Sequence, residues 1–130
     1  MPITESSATY LRTILTLSQH QDKVFSIDIA NTLHYNKSSV CIALKKLRSQ
    51  GFLSKEKDGS ITLTCSGKCI AKRIIYCQQL FAALFHSLGI KTEALRCQRE
   101  WLSYGISEQT CKAIKNYLTK NTKQESQSYE

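Results

Sequence analysis

The segment IANTLHYNKSSVCIALKKLRSQGFLSKEKDGSITLT spans residues 29–64 and decides the fold of this chain. Within it, residues 37–50 predict a helix, because apolar side chains recur there at intervals of three and four. Gly51 follows directly and can take the left-handed conformation in which helices often end. The apolar face of this predicted helix consists of Val40, Ala43, Leu44 and Leu47.

The residues after this helix predict a β-hairpin. Apolar and polar residues alternate over 53–55 and 61–64, which is the pattern of strands with one buried face. Asp58-Gly59 lies between them, and Asp-Gly is a favoured hairpin turn because glycine accepts positive φ at little cost.

Two shorter helices are predicted on the N-terminal side, over about 7–18 and 26–34, joined by a short extended link at 23–25. Tyr10, Leu11, Ile14 and Leu15 form the apolar face of the first. Ser26 is expected to cap the second, with Asp28 in its first turn. The side chains expected to face inward from the second helix are Ile27, Ala30 and Leu33.

The C-terminal half predicts further helices. Residues 66–88 form a long helical pattern closed by Gly89, and two shorter helices are predicted over 92–104 and 107–119. The long helix needs cover on more than one face, which predicts an interface, because it is apolar on nearly all sides. Its apolar residues are Ile74, Ile75, Tyr76, Leu80, Phe81, Leu84 and Phe85.

The order helix, helix, strand, strand is that of a winged helix-turn-helix, in which the second helix of the pair enters the DNA major groove. We therefore predict a mostly α fold: a winged helix-turn-helix DNA-binding domain at 1–64, a helical dimerisation domain at 65–119 and a frayed tail at 120–130.

Composition agrees with a small DNA-binding protein. The 130 residues carry a net charge of +8, which favours a polyanionic partner. The N-terminus lacks a signal-peptide pattern and no stretch has the apolar length of a membrane span, so we expect a cytoplasmic chain with reduced thiols and no membrane partner.

The predicted partner is double-stranded DNA, bound by the third helix and the hairpin. Basic residues concentrate between Asn36 and Gly59, and several polar or basic positions lie opposite the apolar face of the helix. The predicted DNA-binding residues are Asn36, Lys37, Ser38, Ser39, Ile42, Lys45, Lys46 and Lys57.

Other interpretations compete with DNA binding. The lysines could form a solvated face, Ile42 could pack on a neighbouring element instead of touching a thymine methyl group, and the long apolar helix could serve a protein-interaction module. Membrane-surface binding is less favoured, because the basic residues follow a folded helix–hairpin pattern. No nucleophile–base motif, Gly-rich phosphate loop or catalytic carboxylate pair occurs, so we expect no enzyme.

Three segments resemble the metal-dependent diphtheria toxin repressor and manganese transport regulator family: ATYLRTILTL, IANTLHYNKSSVCIALKKLRSQGFL and ITLTCSGKCIAKRIIYCQQL. They are similar to its first helix, its helix-turn-helix and its wing-to-dimerisation-helix segment, and ISEQTCKAIKNYL is similar to its closing helix. The likeness extends over about residues 8–119 and is closer to the short, manganese-type architecture. It implies a homodimeric repressor whose DNA affinity is switched by Mn²⁺ or Fe²⁺.

The metal ligands that this resemblance implies are largely replaced. The family pattern has carboxylates and histidines at six positions, which here hold Thr9, Arg12, Gln78, Glu100, Ser103 and Tyr104. Only Glu100 keeps a side chain suited to a hard divalent cation, and Arg12 brings a fixed positive charge. We therefore expect no Mn²⁺ or Fe²⁺ cofactor at these positions.

The cysteines leave a second possibility open. The six are Cys41, Cys65, Cys69, Cys77, Cys97 and Cys111. Cys65 and Cys69 are one helical turn apart, and Cys77 and Cys97 are expected near the former ligand positions, so a soft-metal or thiol-redox sensor is conceivable. No CxxC pair occurs, and cysteines that pack as small apolar side chains are the favoured interpretation.

Overall fold

A computed structural model describes residues 4–91 and 107–128 and shows a mostly α fold with one two-stranded sheet. The chain divides into two compact units, Met1–Ile74 and Ile75–Glu130. The described elements are α1 (Glu5–His20), α2 (Ser26–Leu33), α3 (Lys37–Ser49), β1 (Leu53–Lys55), β2 (Ile61–Leu63), α4 (Cys65–Ser87) and α5 (Glu108–Ser128). The helix predicted over 92–104 lies outside the described residues.

The core of the first unit is built from the faces that the periodicity predicts. Leu11 and Ile14 of α1 and Val40 and Leu47 of α3 are almost fully buried. Such burial stabilises the fold by about 1.5–3 kcal/mol for each large aliphatic side chain. Other buried apolar residues of this unit are Ala8, Tyr10, Leu15, Val24, Ile29, Ala30, Leu44, Phe52, Leu53, Ile61, Leu63, Ala71 and Ile74.

The start of α2 differs from the prediction in two ways. Ser26 is the first helical residue and makes no capping bond, and the Asp28 carboxylate instead accepts a hydrogen bond from the Phe25 N–H at 2.8 Å. Ile27 is 42% exposed, whereas Ile29 is fully buried. Both differences follow from the start of α2, which takes Phe25 as its N-cap residue and Ser26 as its first helical residue. In this position Ile29 and Ala30, rather than Ile27, share the inward face with Leu33.

The turn between α2 and α3 depends on a left-handed residue. His34 has φ 58°, and the Tyr35 N–H donates to the Ala30 carbonyl at 3.1 Å, which ends α2 within one turn. The Tyr35 ring then packs edge-on against Tyr10 of α1, with ring centroids 6.0 Å apart. Histidine is an uncommon choice at positive φ, so sequence alone would not indicate this turn.

The end of α3 agrees with the prediction. Gly51 has φ 81°, and the Phe52 N–H donates to the Leu47 carbonyl at 3.1 Å. This closes α3 and turns the chain directly into β1. The antiparallel register of the hairpin pairs Leu53 with Leu63 and Lys55 with Ile61.

A close junction joins the hairpin to α4. The Thr64 N–H donates to the Phe52 carbonyl at 3.1 Å, and the Thr64 hydroxyl donates to the Gly51 carbonyl at 2.7 Å and accepts from the Gly67 N–H at 3.2 Å. Gly67 packs so tightly here that a Cβ atom would collide with the Phe52 carbonyl oxygen and lie 3.0 Å from its carbon. The start of α4 is therefore fixed against the hairpin.

The second unit contains the end of α4 and all of α5. Cys77 and Phe81 of α4 and Cys111 of α5 are buried. The helix α5 continues to Ser128, beyond the predicted end at 119, because no glycine or proline interrupts the chain there and Lys, Gln and Glu favour helix. Among the described residues, no helix is long and apolar enough to cross a membrane.

The Gly67 junction leads to a stability prediction. Gly67→Ala should lower the free energy of unfolding by about 1–3 kcal/mol, because the backbone of Phe52 must shift to admit a methyl group. Urea unfolding followed by circular dichroism measures the change. The exposed neighbour provides the control: Ser66→Ala should change stability by less than about 0.5 kcal/mol. Equal stability of the two variants would contradict the junction.

Candidate nucleic-acid interface

The helix α3 exposes the face that was predicted for DNA. Val40, Leu44 and Leu47 are buried, which turns the opposite side of the helix outward. The predicted residues on that side are all exposed: Lys37, Ser38, Ser39, Ile42, Lys45 and Lys46. Lysine and serine side chains of this kind can bind phosphate oxygens and base edges.

Asn36 has a structural task at the start of this face. Its side-chain oxygen accepts a hydrogen bond from the Ser39 N–H at 2.8 Å, which caps the first turn of α3. Asn36 is exposed as predicted, but its acceptor is engaged by the helix. Asn36 therefore caps α3, and its contact with DNA stays a prediction.

Ile42 is 71% exposed, the largest exposed fraction among the exposed large apolar side chains of the described chain. Packing on a neighbouring element, one of the two interpretations of this residue, does not occur within the described residues. The rotation of α3 keeps the Ile42 side chain exposed to solvent. It is therefore available for apolar contact with a partner, such as a thymine methyl group.

The hairpin loop is held by side-chain bonds of Asp58. One carboxylate oxygen accepts from the Ser60 N–H at 2.9 Å and from the Ser60 hydroxyl at 2.7 Å, and the other meets the Lys23 Nζ at 2.6 Å. The hydrogen bond from Lys23, together with those from Ser60, holds the pKa of Asp58 well below its ordinary value. Lys57 lies exposed in this loop, as predicted.

The link before α2 also braces the hairpin through its backbone. The Ile61 N–H donates to the Val24 carbonyl at 2.7 Å, on the side of β2 away from β1. Val24 itself is buried. Lys23 and Val24 thus tie a short loop to the hairpin, a connection that sequence periodicity did not indicate because it joins residues far apart in the chain.

A cleft of about 120 Å³ lies between α3 and the hairpin. Buried apolar side chains line it, and so do exposed cations, of which Lys45 alone belongs to the predicted DNA-binding set. The apolar lining includes Leu44, Leu53 and Ile61, and the cations are Lys45, Arg48 and Lys55. Arg48 and Lys55 belong to the basic residues between Asn36 and Gly59, and the rotation of α3 and the position of the hairpin bring both of them to this cleft.

The charge balance of this surface favours an anionic partner. Between residues 36 and 60 the chain carries six lysines and arginines against Glu56 and Asp58, and Asp58 is already paired with Lys23. The cations Lys45, Lys46, Arg48, Lys55 and Lys57 are exposed on α3 and the hairpin. Closely spaced cations with little internal neutralisation are suited to a phosphate backbone.

The positions of the implied metal ligands do not offer a suitable donor set in the described residues. Thr9 and Arg12 are half-buried on α1, and Gln78 is half-buried on α4. A guanidinium has no lone pair to offer a cation, and a hydroxyl and an amide carbonyl are neutral donors, so these three positions supply none of the carboxylate or imidazole ligands of the family pattern. Glu100, Ser103 and Tyr104 lie outside the described residues. Within the described ranges, no three His, Cys, Asp or Glu side chains cluster to hold a metal.

Comparison with known proteins agrees with this architecture. Residues 2–61 match the family model described as iron dependent repressor, N-terminal DNA binding domain. The HTH-type transcriptional regulator MntR of Bacillus subtilis is 29% identical over 104 residues, which cover 80% of this chain and 73% of that protein. The MntR of Geobacillus thermodenitrificans is 28% identical, with 80% and 74% covered.

Solved structures share the fold. A manganese-dependent transcriptional repressor in complex with manganese superposes with a TM-score of 0.76 at 25% identity, covering 87% of this chain and 52% of that one. A hypothetical protein from Sulfolobus solfataricus superposes with a TM-score of 0.72 at 24% identity, with 91% of both chains covered. The chain thus spans about half the length of the manganese-dependent repressor.

The family model, the curated relatives and the shared fold all coincide with the winged helix-turn-helix and the helices that follow it. By these comparisons, residues 2–61 are similar to the N-terminal DNA-binding domain of iron dependent repressors, and most of the chain is similar to the MntR transcriptional regulators.

Proposed function

We propose that this chain is a transcriptional regulator that binds operator DNA as a homodimer and does so without a Mn²⁺ or Fe²⁺ cofactor. The observation that carries the proposal is the exposed basic face of α3, which the buried Val40–Leu47 stripe turns outward beside a basic hairpin. In a winged helix-turn-helix, that helix enters the major groove.

The exposed side chains of α3 divide into two roles. Lys45 and Lys46 neutralise phosphates, which supplies affinity without sequence information. Ser38, Ser39 and Ile42 face the base edges, the serines through hydrogen bonds and Ile42 through contact with a thymine methyl group. Lys37, at the first turn, adds positive charge beside the free backbone donors of the helix N-terminus.

The hairpin supplies the second DNA contact. Lys57 in the loop and Lys55 at the end of β1 bind the phosphate backbone beside the groove that α3 occupies. The Lys23–Asp58 pair and the Val24–Ile61 hydrogen bond support this role, because they hold a hairpin with strands of only three residues in one position.

Dimerisation is supported by the apolar surface of α4. Tyr76 is 42% exposed, Leu80 and Leu84 follow at intervals of four and are only half-buried, and Leu88 beyond the helix end is 56% exposed. A series of apolar side chains at this spacing on one helix gains stability when a second copy covers it. Two copies would present two α3 helices to a pseudo-palindromic operator.

Independence from manganese and iron follows from the residues at the implied ligand positions. Arg12 carries a fixed positive charge on α1, and Thr9 and Gln78 are neutral, so binding a divalent cation there would lack the negative charge that normally offsets its dehydration.

Charge reversal on α3 tests DNA binding. The double variant Lys45→Glu, Lys46→Glu should bind operator DNA at least tenfold more weakly than the unchanged protein. The slope of log affinity against log salt concentration should also fall by about 2, because two phosphate contacts are lost. Fluorescence anisotropy across a salt series gives both quantities. Lys112→Glu with Lys115→Glu on α5 changes the net charge equally and is the matched control. An equal loss of DNA affinity in both double variants would contradict a specific role for α3. Binding to a protein partner that does not change with salt concentration would instead favour the protein-interaction module.

Metal independence has its own test. Operator affinity of the purified chain should be the same within about twofold in a chelator and in added Mn²⁺ or Fe²⁺, because the donor set does not fit these ions. The same anisotropy assay provides the measurement. A tenfold or larger gain with either metal would overturn this part of the proposal while leaving DNA binding intact.

A third prediction concerns the dimer. Tyr76→Asp should shift the protein from dimer to monomer at micromolar concentration, because an ionised side chain would be buried in the apolar interface. Sedimentation velocity measures the oligomeric state, and circular dichroism checks that the helices persist. Asn116→Asp introduces the same group at an exposed position of α5 and should leave the dimer unchanged. A wild-type chain that remains monomeric at these concentrations would reject the dimer.

A further inference from the structure

Two buried cysteines meet in the second unit. Cys77 of α4 is 2% exposed, Cys111 of α5 is 7% exposed, and their sulfur atoms are 3.2 Å apart. The other cysteines of the described residues, Cys41, Cys65 and Cys69, are exposed. Cys97 lies outside the described residues. The sequence had placed Cys77 near the former metal ligands and had not paired it with Cys111.

The distance is informative about chemistry. Two sulfurs at 3.2 Å need to approach by about 1 Å to reach the length of a disulfide bond, about 2.05 Å. A metal ion bridging two thiolates would hold them farther apart, because a zinc–sulfur bond of about 2.3 Å with tetrahedral angles separates the sulfurs by about 3.8 Å. The separation is thus shorter than a shared zinc ion would impose, and the two sulfurs are in direct contact without a covalent bond.

The position of the pair is also informative. The two residues are 34 positions apart in sequence and lie on different helices of the same unit. A bond between them would join α4 to α5 and close a loop that is open in the reduced chain. Because both sulfurs are buried, bulky disulfides cannot reach them, and only oxidants little larger than water can.

We propose that Cys77 and Cys111 form a reversible disulfide when the protein meets a small peroxide, and that this bond fixes α4 against α5. One thiol ionises and its thiolate attacks a peroxide oxygen, so that the O–O bond breaks and a sulfenic acid forms, while the leaving hydroxide takes up the thiol's proton and becomes water. The second thiol then attacks the sulfenic sulfur, forms the S–S bond and releases a second water. The two thiols together lose two electrons and two protons, and hydrogen peroxide is reduced to two waters.

The proposal is independent of the proposed function, because both cysteines lie in the second unit and neither belongs to the DNA-binding surface. It also requires no metal, and its chemistry uses only the thiols and the peroxide. Success or failure of DNA binding by α3 therefore leaves it unchanged.

Peptide mapping of the full chain tests the bond directly. Reduced protein is treated with a small molar excess of hydrogen peroxide, remaining thiols are alkylated under denaturing conditions, and a non-reducing digest is analysed by mass spectrometry. The expected product is one peptide pair linked through Cys77 and Cys111 that separates on addition of dithiothreitol. Linkage of Cys77 to Cys97, or alkylation of both Cys77 and Cys111 while exposed cysteines are oxidised, would overturn the proposal. Stoichiometric zinc in the untreated protein would also overturn it in favour of a metal site.

Thermal unfolding provides a second measurement. Peroxide should raise the Tm by about 5–15 °C, because the closed loop restricts the unfolded chain, and dithiothreitol should reverse the rise. Cys111→Ala should abolish the rise, and Cys41→Ala, which removes an exposed thiol, should retain it. If Cys111→Ala does not fold, the peptide map of the wild-type chain and of Cys41→Ala still decides. A reversible rise that persists in folded Cys111→Ala would contradict the assignment.

Discussion

Burial of Val40, Leu44 and Leu47 on α3 is the constraint on which the rest of the DNA-binding unit depends. These side chains can leave water only if α3 keeps one rotation about its axis, and each buried aliphatic residue contributes about 1.5–3 kcal/mol toward that rotation. The same rotation holds Lys45, Lys46 and Ile42 in solvent. The core therefore determines which side chains are available to a partner.

The hairpin shows how a small element becomes fixed by its surroundings. Strands of three residues are too short to be stable alone, since an isolated two-stranded hairpin is marginal in water. Here the Val24 carbonyl accepts a hydrogen bond from the Ile61 N–H of β2, and the Lys23 ammonium group pairs with Asp58 in the loop. Thr64 and Gly67 join the base of the hairpin to α4. The loop that carries Lys57 consequently has a defined position without a large sheet behind it.

Similarity to known regulators and the chemistry of the implied ligand positions lead to different expectations for the regulatory signal. One solved structure that shares this fold is a manganese-dependent transcriptional repressor in complex with manganese. Thr9, Arg12 and Gln78 nevertheless supply none of the carboxylate or imidazole donors that the family pattern has at these positions. A fold can persist while its site changes, because the buried faces that specify the fold do not include the ligand side chains. The Cys77–Cys111 contact is a chemical feature of the second unit that does not depend on that site.

The sequence by itself determined the elements that periodicity and turn chemistry encode. The apolar faces of α1 and α3, the Gly51 stop and the Asp58-Gly59 turn depend on neighbours within a few residues, so their patterns can be read along the chain. Short-range signals are weaker at α2, where the pattern predicts Ser26 as the cap and the Asp28 carboxylate makes the hydrogen bond instead. Helix starts shift easily by a residue because several polar side chains can satisfy the same N–H groups.

Only the tertiary structure decided the contacts between residues distant in sequence. The Lys23–Asp58 pair, the approach of Gly67 to Phe52 and the meeting of Cys77 with Cys111 each join separate elements. No local pattern specifies such pairs, because they depend on how the core sets the rotation of each helix and the register of the hairpin. The sequence therefore predicted which face of α3 is exposed, and packing determined how the neighbouring hairpin is braced and which two thiols meet.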